Sequence, residues 1–375
     1  MSILSDEINN RIQNCQRFLQ EKELSAYAVT DVEDIWYLTN IDYSPEQRPF
    51  FLIIYPDKKP LMLVPKLEES HVDVDYFDYD IQTYFDVTSE IGQNWHEVVT
   101  KKFEGLDKIG IESNALLEIT AKAPTVDWQP NDIIKKLREI KSAYEIDKIS
   151  TTARVCSRVV RATLGQVNND SKVIDLYNLP FKVVGKEIAD NFSLTNRVTN
   201  GVWPSTYSFM PHSIPDMEAT VDHGPNVNVA VFRLAGYAAE CERTFFMEKP
   251  TKEEELHFNQ MMTARNIMLD MLRPGVKASE VETKVRDYLI DQHLTANILH
   301  RPGHGIGLNN HEEPTLSLGN DTVLKENMVV SVEPAIYFEG QGGYRHSDTV
   351  LITKDGYKLL TDAPVSLENL IISKK

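Results

Sequence analysis

Cysteine is scarce in this chain of 375 residues: three are present, Cys15, Cys156 and Cys241, odd in number and widely scattered. That pattern excludes a disulfide framework and implies a reducing, cytoplasmic location. Long apolar runs are also missing, and no window approaches the roughly eighteen residues that a membrane-spanning helix needs. Positive charge is in deficit, with 39 Lys and Arg against 56 Asp and Glu and a formal net charge of −17. A basic face for nucleic acid is thereby excluded, since phosphate contacts need cationic side chains in excess. A single cationic pocket for a carboxylate stays open, because net charge does not describe one cleft. Neither a repeat nor a low-complexity tract is evident. The segment Met1 to Gln20 is polar and helically spaced, without the apolar centre of a signal peptide.

What is there is enough apolar residue, 42%, to build two cores. Helical spacing marks residues 6–21, through Ile8, Ile12, Cys15, Phe18 and Leu19. Residues 25–30, 50–55, 60–65, 72–84 and 108–112 read as strands, with 60–65 the hairpin partner of 50–55. Strands mixed with helices over residues 1–125 predict an α/β domain. A linker helix is expected within 126–141. From 142 to 375 the pattern predicts helices on an antiparallel sheet, an α+β domain. Ser142 with Glu145, Thr251 with Glu254 and Ser279 with Glu282 have capping-box spacing and are expected to start helices.

Five short polar clusters carry the chemistry. The longest is Arg301-Pro302-Gly303-His304-Gly305-Ile306-Gly307-Leu308-Asn309-Asn310-His311-Glu312-Glu313-Pro314. Its glycines permit close backbone approach, and its two histidines are candidate ligands or proton carriers. The others are Met210-Pro211-His212-Ser213-Ile214-Pro215, Glu240-Cys241-Glu242-Arg243-Thr244-Phe245, Ser331-Val332-Glu333-Pro334 and Gly343-Tyr344-Arg345-His346-Ser347-Asp348. Cys241, between two acids on a strand, is expected to face away from them.

These clusters, in this order, resemble the creatinase, prolidase and methionine-aminopeptidase superfamily, the pita-bread hydrolases. Asp34-Ile35-Trp36-Tyr37-Leu38-Thr39 is similar to the N-terminal domain of its prolidase and creatinase branch. The resemblance implies an N-terminal α/β domain, a pita-bread α+β catalytic domain, and a homodimer in which a neighbour's arginine reaches the substrate. Arg48, in Glu46-Gln47-Arg48-Pro49, is the candidate for that role.

Metal-dependent members hold two divalent ions with two Asp, one His and two Glu. Carried over by motif, those positions are Val229, Glu240, His304, Glu333 and Ser347. Two of the five have lost their ligand, and a one-residue shift offers only the amide of Asn228. No metal is therefore expected; the alternative is a single Mn, Co or Zn ion held by Glu240, His304 and Glu333. The departures point to the metal-independent creatinase-like branch, where Glu242 and His212 match catalytic positions. The second clamping glutamate of creatinase is here His346, which argues against creatine. On this reading a C–N bond in a small carboxylate-bearing molecule is hydrolysed. His212 is the general base and acid, and Glu242, His304 and Glu333 complete the catalytic set. Glu240, His311, Arg345, His346 and Arg48 bind substrate. Arg345 either pairs with a substrate carboxylate or stiffens the sheet through Asp348 or Glu333. Two other readings stand beside it. One is an Xaa-Pro dipeptidase or aminopeptidase with a degraded one-ion site. The other is a catalytically silent pita-bread domain used for binding, as in histone-chaperone subunits.

Overall fold

The computed structural model describes residues 3–42, 48–86 and 90–372. The chain divides into two units, Met1–Arg138 and Glu139–Lys375. Among the described residues, the first unit holds six strands: β1 (Ala26–Val29), β2 (Phe51–Ile54), β3 (Leu61–Pro65), β4 (Asp80–Tyr84), β5 (Ile109–Ile111) and β6 (Trp128–Pro130). They lie in the order β4-β3-β2-β1-β5-β6. Continuous apolar runs in β1, β2 and β3 are buried throughout, as strands covered on both faces require. The hairpin of β2 and β3 forms as expected, and the helix Ile3–Glu21 buries Ile8, Ile12, Cys15 and Leu19. One expectation needs correction. Of residues 72–84 only Asp80–Tyr84 is a strand, and Glu69–Val72 is a helical turn. Within the expected linker helix of 126–141, Ile133–Glu139 is helical; before it β6 pairs in parallel with β5, and Arg138 donates to buried Asp34 at 2.6 Å. Both interactions bind this stretch to the first unit.

The second unit carries the remaining strands: β7 (Arg197–Trp203), β8 (Asn226–Leu234), β9 (Tyr237–Phe245), β10 (Gly303–Gly305), β11 (Glu312–Leu316), β12 (Val329–Val332), β13 (Ala335–Phe338), β14 (Gly342–Arg345), β15 (Ser347–Thr353) and β16 (Gly356–Leu359). A largely antiparallel sheet runs β11-β10-β12-β15-β9-β8-β7, with β16 beside β15 and β13-β14 as a separate pair. Ser142 and Glu145 cap the helix Ala143–Gln166 reciprocally, and Thr251 and Glu254 do the same for Lys252–Met271. The latter helix stops before Pro274 and Gly275, the glycine taking a left-handed φ of +94°. The third expected start is displaced. Helix Ala278–Asp291 begins before Ser279, Glu280 accepts the Lys277 N–H at 3.1 Å, and Glu282 is taken by Arg286 at 2.8 Å.

Strand alternation sorts side chains between the two faces of this sheet. In β9, Glu240 and Glu242 point to one face and Cys241 to the other, as expected. Cross-strand partners share a face, so Val229, Glu242 and Ser347 form a row across β8, β9 and β15. On the opposite face, Cys156 of helix Ala143–Gln166 donates its S–H to the Ala239 carbonyl. All three cysteines are buried. Burial raises the Cys15 and Cys241 thiols to about 12 and lifts Cys156 well above its ordinary value.

Asp348 ties this opposite face together. Its Oδ1 accepts from Arg243 Nη2 and Thr361 Oγ1, each at 2.7 Å, and its Oδ2 accepts from Arg265 Nε at 2.9 Å and Nη2 at 2.7 Å. Arg243 Nη1 also donates to the carbonyls of Glu242 (2.7 Å) and Ser347 (2.8 Å). Burial alone would raise the Asp348 carboxyl; the two guanidiniums more than offset this and hold it at about 2. We predict that Asp348→Asn destabilises the protein by about 3–5 kcal/mol in urea denaturation, because two buried guanidiniums lose their counter-charge. The carboxyl lies below its ordinary 3.8 in the folded state. Its contribution is therefore complete above that value and fades as pH falls towards about 2, a limb that the Asn variant should lack.

Candidate functional site

His304 stands in β10 with no exposed surface. The flanking glycines serve strand packing. A Cβ at Gly303 would collide with the Ser331 carbonyl, and one at Gly305 with the Glu313 carbonyl. The ring Nδ1–H donates to the Gly305 carbonyl at 3.0 Å. Its Nε2 then faces two carboxylates, 3.1 Å from Glu333 Oε1 and 3.9 Å from Glu240 Oε1, with neither oxygen aligned for a hydrogen bond. Burial disfavours the imidazolium, but Glu240 and Glu333 more than compensate and raise His304 to about 9. Glu333 responds in kind: burial pushes it up, and His304 brings it down to about 2.

Glu240 is held by three donors. Ser347 Oγ donates to Oε1 at 2.5 Å, Ser331 Oγ donates to the same oxygen, and Asn310 Nδ2 reaches Oε2 at 2.7 Å. Glu242 is paired with Arg345, whose Nη2 lies 3.2 Å from Oε1. Arg345 Nη1 in turn donates to the Tyr337 hydroxyl at 3.3 Å, which lies 2.8 Å from His300 Nε2. Burial pushes the Glu242 carboxyl up to about 7 against the pull of Arg345, helped by Glu240 and Glu333.

The structure thus brings together Glu240, His304 and Glu333, with Glu242 and Arg345 adjoining them through the charges of Glu240 and Glu333. His311 is exposed and sets its ring against that of His304, centroids 4.1 Å apart and planes at 87°. Arg345 takes neither of the partners expected within the sheet, Asp348 or Glu333: its carboxylate is Glu242. Two other expectations fail. His212 is exposed, and among the described residues it hydrogen-bonds none of these groups, so Glu242 is not its partner. His346 faces the helix side of the sheet, as alternation from Arg345 and Ser347 requires. It is fully buried with its ring edge-on to Phe258 at 5.4 Å. Arg48 pairs with Asp86 inside the first unit; Glu46 and Gln47 of its motif lie outside the described residues. Sequence reasoning gave no role to Ser331, Asn310, Tyr337 or His300. Ser331 was within reach, because it stands in β12 two residues before Glu333, which follows that strand; nothing local marks the others.

The donor set suits one divalent cation. A tautomer fixed by the Gly305 carbonyl leaves an imidazole lone pair aimed at two carboxylates, an arrangement that is repulsive until a proton or a metal ion lies between them. Two carboxylates and one neutral imidazole also balance a dication's charge.

With this geometry in view, the metallopeptidase family M24 matches residues 148–354. The chain belongs to that family. A creatinase/prolidase N-terminal domain matches residues 11–140. Among M24 relatives, an Xaa-Pro dipeptidase of Lactobacillus delbrueckii subsp. lactis is 26% identical, with 97% of this chain and 100% of the relative covered. The fold closely follows the dipeptidase PepE of Mycobacterium ulcerans (TM-score 0.84, 22% identity, 99% of each chain covered). It is also similar to the N-terminal domain of the FACT complex subunit SPT16 from chickpea (TM-score 0.80, 14% identity, 99% of each chain covered). Membership of the M24 family bears out the pita-bread fold and the expectation of a C–N hydrolase.

A pH dependence follows for the metal-free protein. His304 is raised from 6.5 to about 9 on folding, so its stabilising charge is fully present below 6.5 and is lost as pH rises through about 9. Melting temperature measured in chelator should fall across that window, and His304→Gln should flatten the fall.

Proposed function

We propose that this chain is an Xaa-Pro peptidase working with a single divalent ion, Mn, Co or Zn, held by Glu240, His304 and Glu333. The observation that carries the reading is the buried His304 Nε2, without a hydrogen bond and turned between two carboxylates. The relative named Xaa-Pro dipeptidase, matched over its whole length, supports the substrate class. Bound there, the ion supplies Lewis-acid polarisation of a carbonyl and a more acidic water.

The chain's own residues do the rest. The Gly305 carbonyl fixes the His304 tautomer, and Glu333 is ionised throughout the neutral range. Glu242, near 7, can hold or release a proton at its carboxyl close to neutrality. Arg345 already has a counter-charge in Glu242, so a substrate carboxylate must compete for it. His311 offers an exposed imidazole at the rim. The metal-independent reading is not supported: His212 is exposed and unconnected to Glu242, and the matching family is one of metallopeptidases.

Hydrolysis of an Ala-Pro dipeptide with and without Mn tests the proposal. Turnover should depend on Mn or Co and stop in chelator. Glu333→Gln and His304→Ala should lose more than the roughly 10–100-fold typical of an outer partner. Turnover that survives exhaustive chelation would sink the one-ion reading. Absence of both metal and turnover would favour the silent binding domain.

A further inference from the structure

Two positions that supply carboxylates in the two-ion members of the superfamily are Val229 and Ser347 here, and the structure shows what has become of that side of the site. Val229 is 7% exposed and lies directly across the strand pair from Glu242, which lies across from Ser347. All three share the face that bears Glu240. Asn228, the one amide nearby, belongs to the opposite face, where its Nδ2 donates to Asn200 Oδ1 (3.1 Å) and to the Gly201 carbonyl (2.9 Å). It cannot stand in for a lost ligand. The hydroxyls of Ser347 and Ser331 lie 3.3 Å apart, and both point their protons at Glu240 Oε1.

Charge bookkeeping leads the same way. Glu240 and Glu333 together neutralise one dication, and Glu242 is spent on Arg345. A second dication would meet an apolar valine and two neutral hydroxyls, with no anion left to balance it in a buried setting. We propose that Ser331 and Ser347, with Val229, close the second metal position: their hydroxyls replace an ion as the partner of Glu240, and the site takes one ion per chain. This deepens the one-ion reading and rests on it for the ion that stays.

The test is metal stoichiometry, independent of turnover. Wild type, Val229→Asp/Ser347→Glu and Ser347→Glu alone are equilibrated with Mn and stripped of unbound ion by gel filtration. Mn per chain is then counted by atomic emission and examined by electron paramagnetic resonance. One ion is expected in the wild type, and two with a spin-coupled signal in the double variant. A second, weaker ion is expected in Ser347→Glu, which decides the matter if the double variant fails to fold by circular dichroism. Two ions in the wild type would overturn the proposal, as would folded variants that gain none. No ion in the wild type combined with a gain in the variants would remove the proposed function yet uphold closure by the serines.

Discussion

Asp348 is the constraint on which the rest of the second unit depends. A carboxylate shared by Arg243 and Arg265, in the core, costs desolvation that only full hydrogen bonding offsets. Here every oxygen is satisfied. The consequence reaches the far face, because Arg243 also grips the carbonyls of Glu242 and Ser347. One guanidinium on the helix side therefore sets the backbone from which two site residues project. The chemistry is presented by strands, whose position is fixed from behind.

That division of labour explains what could be read in advance. Periodicity located most strands of the first unit and the capped helices after Ser142 and Thr251, since both signals are local. Motif spacing carried over the candidate ligands Glu240, His304 and Glu333, and the structure places them together. Alternation alone separates Glu240 and Glu242 from Cys241, and the same rule sends His346 away from Arg345 and Ser347. Assigning His346 to the substrate pocket overlooked it.

Other features depend on register between strands distant in sequence. Ser331, Ser347 and Asn310 meet at Glu240 only because β12, β15 and the turn after β10 are brought to β9. No spacing along the chain announces such a meeting. Counting lost ligands suggested that metal chemistry had gone altogether. The lone pair of His304 between two acids is the observation that supports the proposed one-ion site.

The burial of all three thiols has a practical side. Cys15, Cys156 and Cys241 are covered and held as protonated thiols by their surroundings, so thiolate, the form that oxidises and ligates, is scarce at neutral pH. The protein can be handled without added reductant, and small dithiols, which compete for soft divalent ions, can be left out of the buffers. An ion at the proposed site would then meet no competing thiol during purification.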